Sequence, residues 1–309
     1  MLEKQLLFIL FILQTTCSPS ARKLSERTLR KLDSLSVNTS APWEPLRVTF
    51  EYVNDPNTQT RTFLDSIFSI AGVYFQKHLL IRRSSSSLTV TETIMSEFQG
   101  FIDLPSDMLS KTYDTDLVLI KCYQVFYVST MNNDSDNTLA SCAPIDLDSS
   151  TGRPVFAGIL WNMAYSDPTT LTNVGFEAQL ATAVHEMLHG LGFVSDLFSK
   201  FYDSVDGTVY TNSSSTDANS VILLQTPRVV AQAQKHFACS DITGVPMENE
   251  GGSGTAGSHW ERALFYNEMM TGSDMVSSFA ITDFTLQLLQ DSGQYIQQLQ
   301  ILSIGLLHS

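Results

Sequence analysis

Apolar and polar residues alternate with period two in LRVTFEYV at 46 to 53, which predicts a strand with one buried face. Immediately beyond, TRTFLDSIFSIAGVYFQKHL at 60 to 79 repeats its apolar positions every three and four residues, the spacing that collects side chains on one face of a helix. DLVLIKCYQVFYV at 116 to 128 has strand composition, and FAGILWNM at 156 to 163 gives another short strand bounded by Pro154 and Pro168. A helix is expected from 176 to 191, with Gly190 and Gly192 turning the chain at its end, and a later one from 283 to 293. Strands and helices do not alternate strictly, so the expected class is α+β rather than a doubly wound sheet.

The polar stretches SSSS at 84 to 87, NNDSDN at 132 to 137 and NSSSTDANS at 212 to 220 read as surface loops. At the start, Lys4, an apolar run from 6 to 13, and the small residues Thr15, Thr16 and Cys17 have the layout of a secretory signal at 1–17. Eight apolar residues are too few to span a bilayer. The expected product is secreted or held at the cell surface, and the sequons at Asn38, Asn133 and Asn212 suit that route. Residues 18–43 then form a leader or propeptide remnant. Within it ARKLSERTLRKL at 21 to 32 is basic and amphipathic, which fits a propeptide remnant, a membrane-surface helix or a solvated tail.

Removing Cys17 with the signal leaves Cys122, Cys142 and Cys239, an odd number in an oxidising compartment. The expected bridge joins Cys122 to Cys142 across the polar loop between them, leaving Cys239 without a partner in this chain. The formal charge of −14 is uneven, with six Lys/Arg and three Asp/Glu in residues 1 to 33 against 12 and 29 beyond. So acidic a body lacks the basic face that nucleic acid requires.

Chemistry concentrates in HEMLHGLGFVSD at 185 to 196. On a helix, Leu180, Val184, Leu188 and Leu191 share one stripe and His185 and His189 lie more than a quarter-turn away, so the helix is expected to bury one face and show the other. Two imidazoles four residues apart can reach one ion, with Glu186 close by but off the ligand position. Six His and 12 Glu in the chain give about 0.005 chance matches to HExxH, so coincidence is a poor explanation. A hydrolytic zinc site needs three protein ligands and an open fourth position. In the extended pattern HExxHxxGxxH the third histidine falls at Ser195 here, although Gly192 is in place. Among His78, His236, His259 and His308, His259 is the candidate. It sits in the glycine-rich GGSGTAGSHWERALFYNEMMTG at 251 to 272, where backbone can approach closely.

HEMLHGLG, the 69 residues separating His189 from His259, GSHW at 257 to 260 and the methionine in NEMMTG together resemble the leishmanolysin family, peptidase M8 among the metzincin zinc proteases. GRPVFAGILWN, TPRVVAQAQKHFACSDITGVPMENEGG and TDFTLQLLQDSG are similar as well, and the resemblance spans roughly residues 44 to 296. It implies a mixed sheet, an active-site helix carrying HExxH in a subdomain at 44–194, and a smaller subdomain at 195–298 ending after the Met-turn. It further implies one Zn²⁺ per chain on His185, His189 and His259, Glu186 as general base, Met270 as the Met-turn residue, and hydrolysis of internal bonds in proteins or peptides. Two departures stand out: the tail at 299–309 takes the place of the family's cysteine-rich region, and no cysteine between 18 and 121 offers a propeptide thiolate. An adhesion protein retaining a zinc site and an HExxH aminopeptidase are the rival readings. The sequence does not indicate an oligomeric state.

Overall fold

The computed structural model describes residues 23–298 apart from 36, 54–56, 84–86, 125–137, 167–171 and 273–278; the side chains of 34, 122 to 124, 164 and 253 also lie outside the description. A short helix α1 (Glu26–Arg30) precedes β1 (Trp43–Pro45) and β2 (Val48–Tyr52). Then come α2 (Thr58–His78), β3 (Leu79–Arg82), β4 (Leu88–Thr89), α3 (Glu92–Phe98) and β5 (Thr112–Tyr113). After β6 (Leu117–Gln124), β7 (Ala140–Leu147) and β8 (Pro154–Asn162) the chain enters α4 (Asn173–Gly190) and α5 (Ser195–Phe198). The remainder holds β9 (Ser214–Thr216), β10 (Ile222–Leu224), α6 (Pro227–His236), β11 (Val245–Pro246), α7 (Arg262–Phe265), α8 (Asp283–Asp291) and β12 (Tyr295–Gln297).

The main sheet has the order β2-β6-β8-β7, parallel at its first two junctions and antiparallel at β7. Successive strand residues face opposite ways. Leu117 and Leu119 therefore join the cluster beneath α2 and α4, while Val118 and Ile120 join Ile94 and Phe98 of α3 on the other face. With both faces covered, β6 reads as a continuous apolar run rather than an alternation. α2 starts where the Asn57 side chain accepts the Thr60 amide, and buries Leu64, Ile67, Phe68, Ala71 and Phe75 at helical spacing. Phe68 meets Trp161 of β8 edge to face at 5.3 Å. β12 pairs antiparallel with β3 on the side away from β1, so the end of the described chain is stitched to its beginning.

β7 has no counterpart in the hydrophobic pattern. Pro144 and Asp146 interrupt it, and its register with β8 shifts at both. An edge strand tolerates such residues because one row of its backbone groups needs no ladder partner.

Two expectations are corrected here. Cys142 is a free, buried thiol. Cys122 pairs with Leu160 and Cys142 with Ile159, from opposite sides of β8. Their backbones are thus two strand spacings apart, about 10 Å, beyond the roughly 7 Å at which two Cα atoms can be bridged. Cys239 is free and exposed, as expected. The basic segment at 21 to 32 is not a solvated tail where it is described: Leu24, Thr28 and Leu32 are buried, and α1 packs on β7. No described helix is long and apolar enough to cross a membrane. Asn38 and Asn212 are exposed; Asn133 and the proposed signal lie outside the described residues.

Candidate metal centre

α4 begins where the Thr172 hydroxyl accepts the Gly175 amide. From Gln179 to Gly190 every residue of it is buried, so along that length the expected exposed face is missing; its first turns, with Val174 and Glu177, are exposed. The apolar stripe lies on the sheet side, and the histidine side is covered by residues brought from 255 to 271. Gly190 lets the helix press onto the sheet: a Cβ there would stand 3.1 Å from Cys142 Sγ and 3.2 Å from Leu119 Cδ2. Gly192, at φ +109°, reverses the chain in a conformation that L side chains rarely adopt. The reversal returns the Phe193 carbonyl to His189, whose Nδ1 donates to it at 2.8 Å.

His259 reaches the same point from the other side. Its carbonyl accepts the Glu248 amide at 2.8 Å and Trp260 N–H donates to the Met270 carbonyl at 2.8 Å, so the segment is held like a strand. Ser195 supplies no ligand. Its amide donates to Ser258 Oγ at 3.3 Å, which ties the exit of α4 to the residue preceding His259.

The three imidazoles converge. Each pair of Nε2 atoms is 3.1 Å apart. Each Nδ1 faces a backbone carbonyl: Met269 at 2.7 Å for His185, Phe193 for His189, and Thr255 at 2.8 Å for His259. A carbonyl can only accept, so each proton sits on Nδ1 and each Nε2 presents a lone pair. Burial holds all three rings neutral: His185 is pushed down to about 3, His259 to about 4, and His189 well below its usual value. Three acceptors facing one another, with no proton between them, repel unless a cation separates them. Nitrogens about 2.0–2.1 Å from one tetrahedral Zn²⁺ would stand roughly 3.3 Å apart, close to the spacing here. Among the described residues this is the one group of His, Cys, Asp and Glu side chains arranged to hold a metal ion.

Glu186 lies beside His185 on α4, only 1% exposed. Beneath the helix the Cys142 thiol is pushed up, by burial first and then by the Glu186 charge. Met270 is fully buried, while the carbonyl that orients His185 belongs to Met269. His78 instead donates to the Tyr74 carbonyl within α2, and His236 meets Phe237 and Phe284 edge to face; His308 lies outside the described residues.

One participant has no sequence signature beyond its place beside the methionines. Glu268 is fully buried and accepts from Met270 N–H and from the Thr282 amide and hydroxyl, both at 3.2 Å. It also accepts from Thr285, whose Oγ1 accepts Trp260 Nε1–H at 2.9 Å. Burial pushes its carboxyl up to about 7 despite those donors. This network joins α8 to the turn carrying the Met269 carbonyl and to the neighbour of His259.

A family model described as peptidase M8, leishmanolysin, matches residues 56–301. A leishmanolysin-like peptidase of Drosophila pseudoobscura pseudoobscura is 31% identical over 209 residues, covering 55% of this chain and 30% of that protein. A leishmanolysin homolog of Crithidia fasciculata is 33% identical over 131 residues, 41% of this chain and 18% of its own. The human ciliated left-right organizer metallopeptidase is 29% identical over 221 residues, 69% of this chain and 26% of its own. The chain thus spans less than a third of the length of these curated relatives.

Proposed function

The chain belongs to the leishmanolysin family of peptidases, and from that premise we propose that it is a zinc-dependent metalloendopeptidase cleaving internal bonds of proteins or peptides. The observation that carries this reading is the triangle of Nε2 atoms at 3.1 Å, each ring fixed through Nδ1 to a backbone carbonyl. His185, His189 and His259 would hold the ion, one per chain. They supply three ligands, and a hydrolytic site keeps the fourth position for water. A Zn²⁺ held there would supply Lewis acidity, lowering the pKa of water to about 7 and polarising a carbonyl.

Glu186 serves as general base, accepting a proton from water and returning it to the leaving amine. Its place next to a ligand on the same helix supports the role. Met270 packs beneath the rings as the Met-turn residue, with the Met269 carbonyl setting the His185 tautomer. The secretory route belongs to the same proposal: a signal at 1–17, glycans on exposed Asn38 and Asn212, and subdomains meeting near 194–195.

Glu186→Ala tests the assignment. Gelatin cleavage should fall on the order of 10²-fold or more, while the metal bound per chain stays at the wild-type level. Undiminished cleavage by this variant would remove Glu186 from the mechanism, and wild-type cleavage indifferent to chelators would remove the metal.

A further inference from the structure

The peptide joining Met269 to Met270 stands between two functional side chains. Its carbonyl accepts His185 Nδ1–H at 2.7 Å, and its N–H donates to Glu268 Oε2. In a trans amide these two groups point opposite ways, so the carboxylate lies on one side of the amide and the ring on the other. The other two rings lack this arrangement. His189 donates to the Phe193 carbonyl and His259 to the Thr255 carbonyl. The N–H groups of those two peptides, on Val194 and Ala256, donate to the uncharged carbonyls of Gly192 at 2.8 Å and Gly252 at 2.9 Å. Glu268 is fully buried, and its remaining oxygen, Oε1, accepts from the amide and hydroxyl of Thr282 and from the hydroxyl of Thr285. A protonated carboxyl would set its own hydrogen against one of these donors, so the donor set fits the anion. Burying a charge is costly, and fastening a turn does not by itself require one.

We propose that Glu268 is a positioning residue that acts on His185 through the Met269–Met270 amide, polarising the carbonyl that holds the ring and so making His185 Nε2 the strongest donor of the three. The inference rests on the metallopeptidase reading, since it needs the three rings to be ligands. An anionic acceptor on the amide N–H draws electron density toward the carbonyl oxygen, and hydrogen bonds in series strengthen one another by roughly 10–30% per bond. A stronger acceptor at Nδ1–H makes the imidazole more basic at Nε2, as a carboxylate bonded directly to a ligating histidine does. Here a peptide is interposed between carboxylate and ring, and no proton is transferred. The contacts of Oε1 with α8 fix where the carboxylate stands; the contact of Oε2 carries its charge to the ligand.

Two variants take these contacts apart. Glu268→Gln keeps the length, so its amide oxygen still accepts from Thr282 and Thr285, but the charge is gone and an NH₂ group faces Met270 N–H. Glu268→Asp keeps the charge, and an aspartate accepts the N–H two residues on as in an Asx-turn, but it draws back from α8. The measurements are made on the full chain at pH 8, above the value of about 7 to which burial pushes the Glu268 carboxyl. Zinc affinity, by competition with a chromophoric chelator, should fall about tenfold in Glu268→Gln, the low end for loss of a ligand's outer partner, and by less in Glu268→Asp. Tm should fall in the opposite order. In ¹H–¹⁵N spectra of the zinc-loaded wild type, His185 Nδ1–H should resonate furthest downfield of the three ring protons, and in Glu268→Gln it alone should move upfield. A Glu268→Asp chain that loses more zinc affinity than Glu268→Gln makes the residue a fastener and overturns the proposal. So does a wild type in which the His185 proton is not the furthest downfield, a result that needs no variant to fold. Wild type that binds no zinc overturns the metallopeptidase reading together with this inference, whereas zinc-binding wild type with an unmoved Glu268→Gln overturns this inference alone.

Discussion

Two buried polar clusters in this chain are built on opposite plans. At the foot of the main sheet, the Asp116 side chain is 2% exposed, and both its oxygens are taken by cations. Arg47 reaches it through Nε at 3.2 Å and through its backbone amide at 2.9 Å, Arg83 through Nε at 3.1 Å, and Arg153 donates to the Asp116 carbonyl at 2.6 Å. Burial alone would push this carboxyl up, but the hydrogen bonds from Arg47 and Arg83 outweigh it and hold it below its usual value. At the metal centre the donors are spent on backbone carbonyls, and three lone pairs converge on one point with nothing of their own to answer them. The first cluster is complete within the chain; the second is complete only with a cation. A polar group whose compensation must come from outside marks function more sharply than burial or a shifted pKa does.

Acid separates the two plans most strongly. In chelated protein each imidazole is neutral when folded and takes up a proton on unfolding below about pH 6.5. The unfolded chain then binds more protons, so stability falls with pH, down to about 4 for His259 and about 3 for His185. The slope is up to about 1.4 kcal/mol per pH unit for each ring. Asp116, with its lowered value, contributes stability that is lost only below about pH 4, the ordinary carboxylate range. Urea unfolding of the chelated protein at pH 7, 6 and 5 should show a steep loss; a flat profile there would erase the distinction.

Asp116→Ala comes next. It strands partly buried guanidinium groups and should cost about 3 kcal/mol, somewhat less than a fully buried pair because Arg47 and Arg83 retain solvent contact. Zinc stoichiometry should be unchanged, and loss of metal would mean that the clusters are not independent. Gly192→Ala is the mildest, about 1–2 kcal/mol for forcing φ +109° on a side chain. Because the same turn carries the Phe193 carbonyl, zinc affinity should weaken along with stability; a variant that unfolds more easily yet binds zinc as wild type does would free the His189 tautomer from that turn.

The local half of this arrangement was legible. His185 and His189 are joined by helix geometry, Gly192 by the turn that must follow, and α2, β2 and α8 by their hydrophobic periods. His259 was reachable because few histidines remained and one lay in a glycine-rich stretch. What stayed hidden depends on partners distant in sequence. β7 carries Pro144 and Asp146, tolerated only because the strand lies at an edge. The buried positions Leu24, Thr28 and Leu32 acquire meaning only once β7 is there to receive them. Glu268 looks like any polar residue until α8 supplies its donors. The proposed Cys122–Cys142 bridge failed because the spacing across a loop cannot show that β8 runs between the two strands. From Gln179 on, the helix expected to show one face is buried all round because the covering segment comes from 70 positions away.

The most direct measurement of the central claim is metal content by native mass spectrometry on the purified full chain and on His259→Ala. One zinc per wild-type chain, lost in the variant while its fold is retained, is the predicted result. A His259→Ala chain that still carries one zinc would contradict the account.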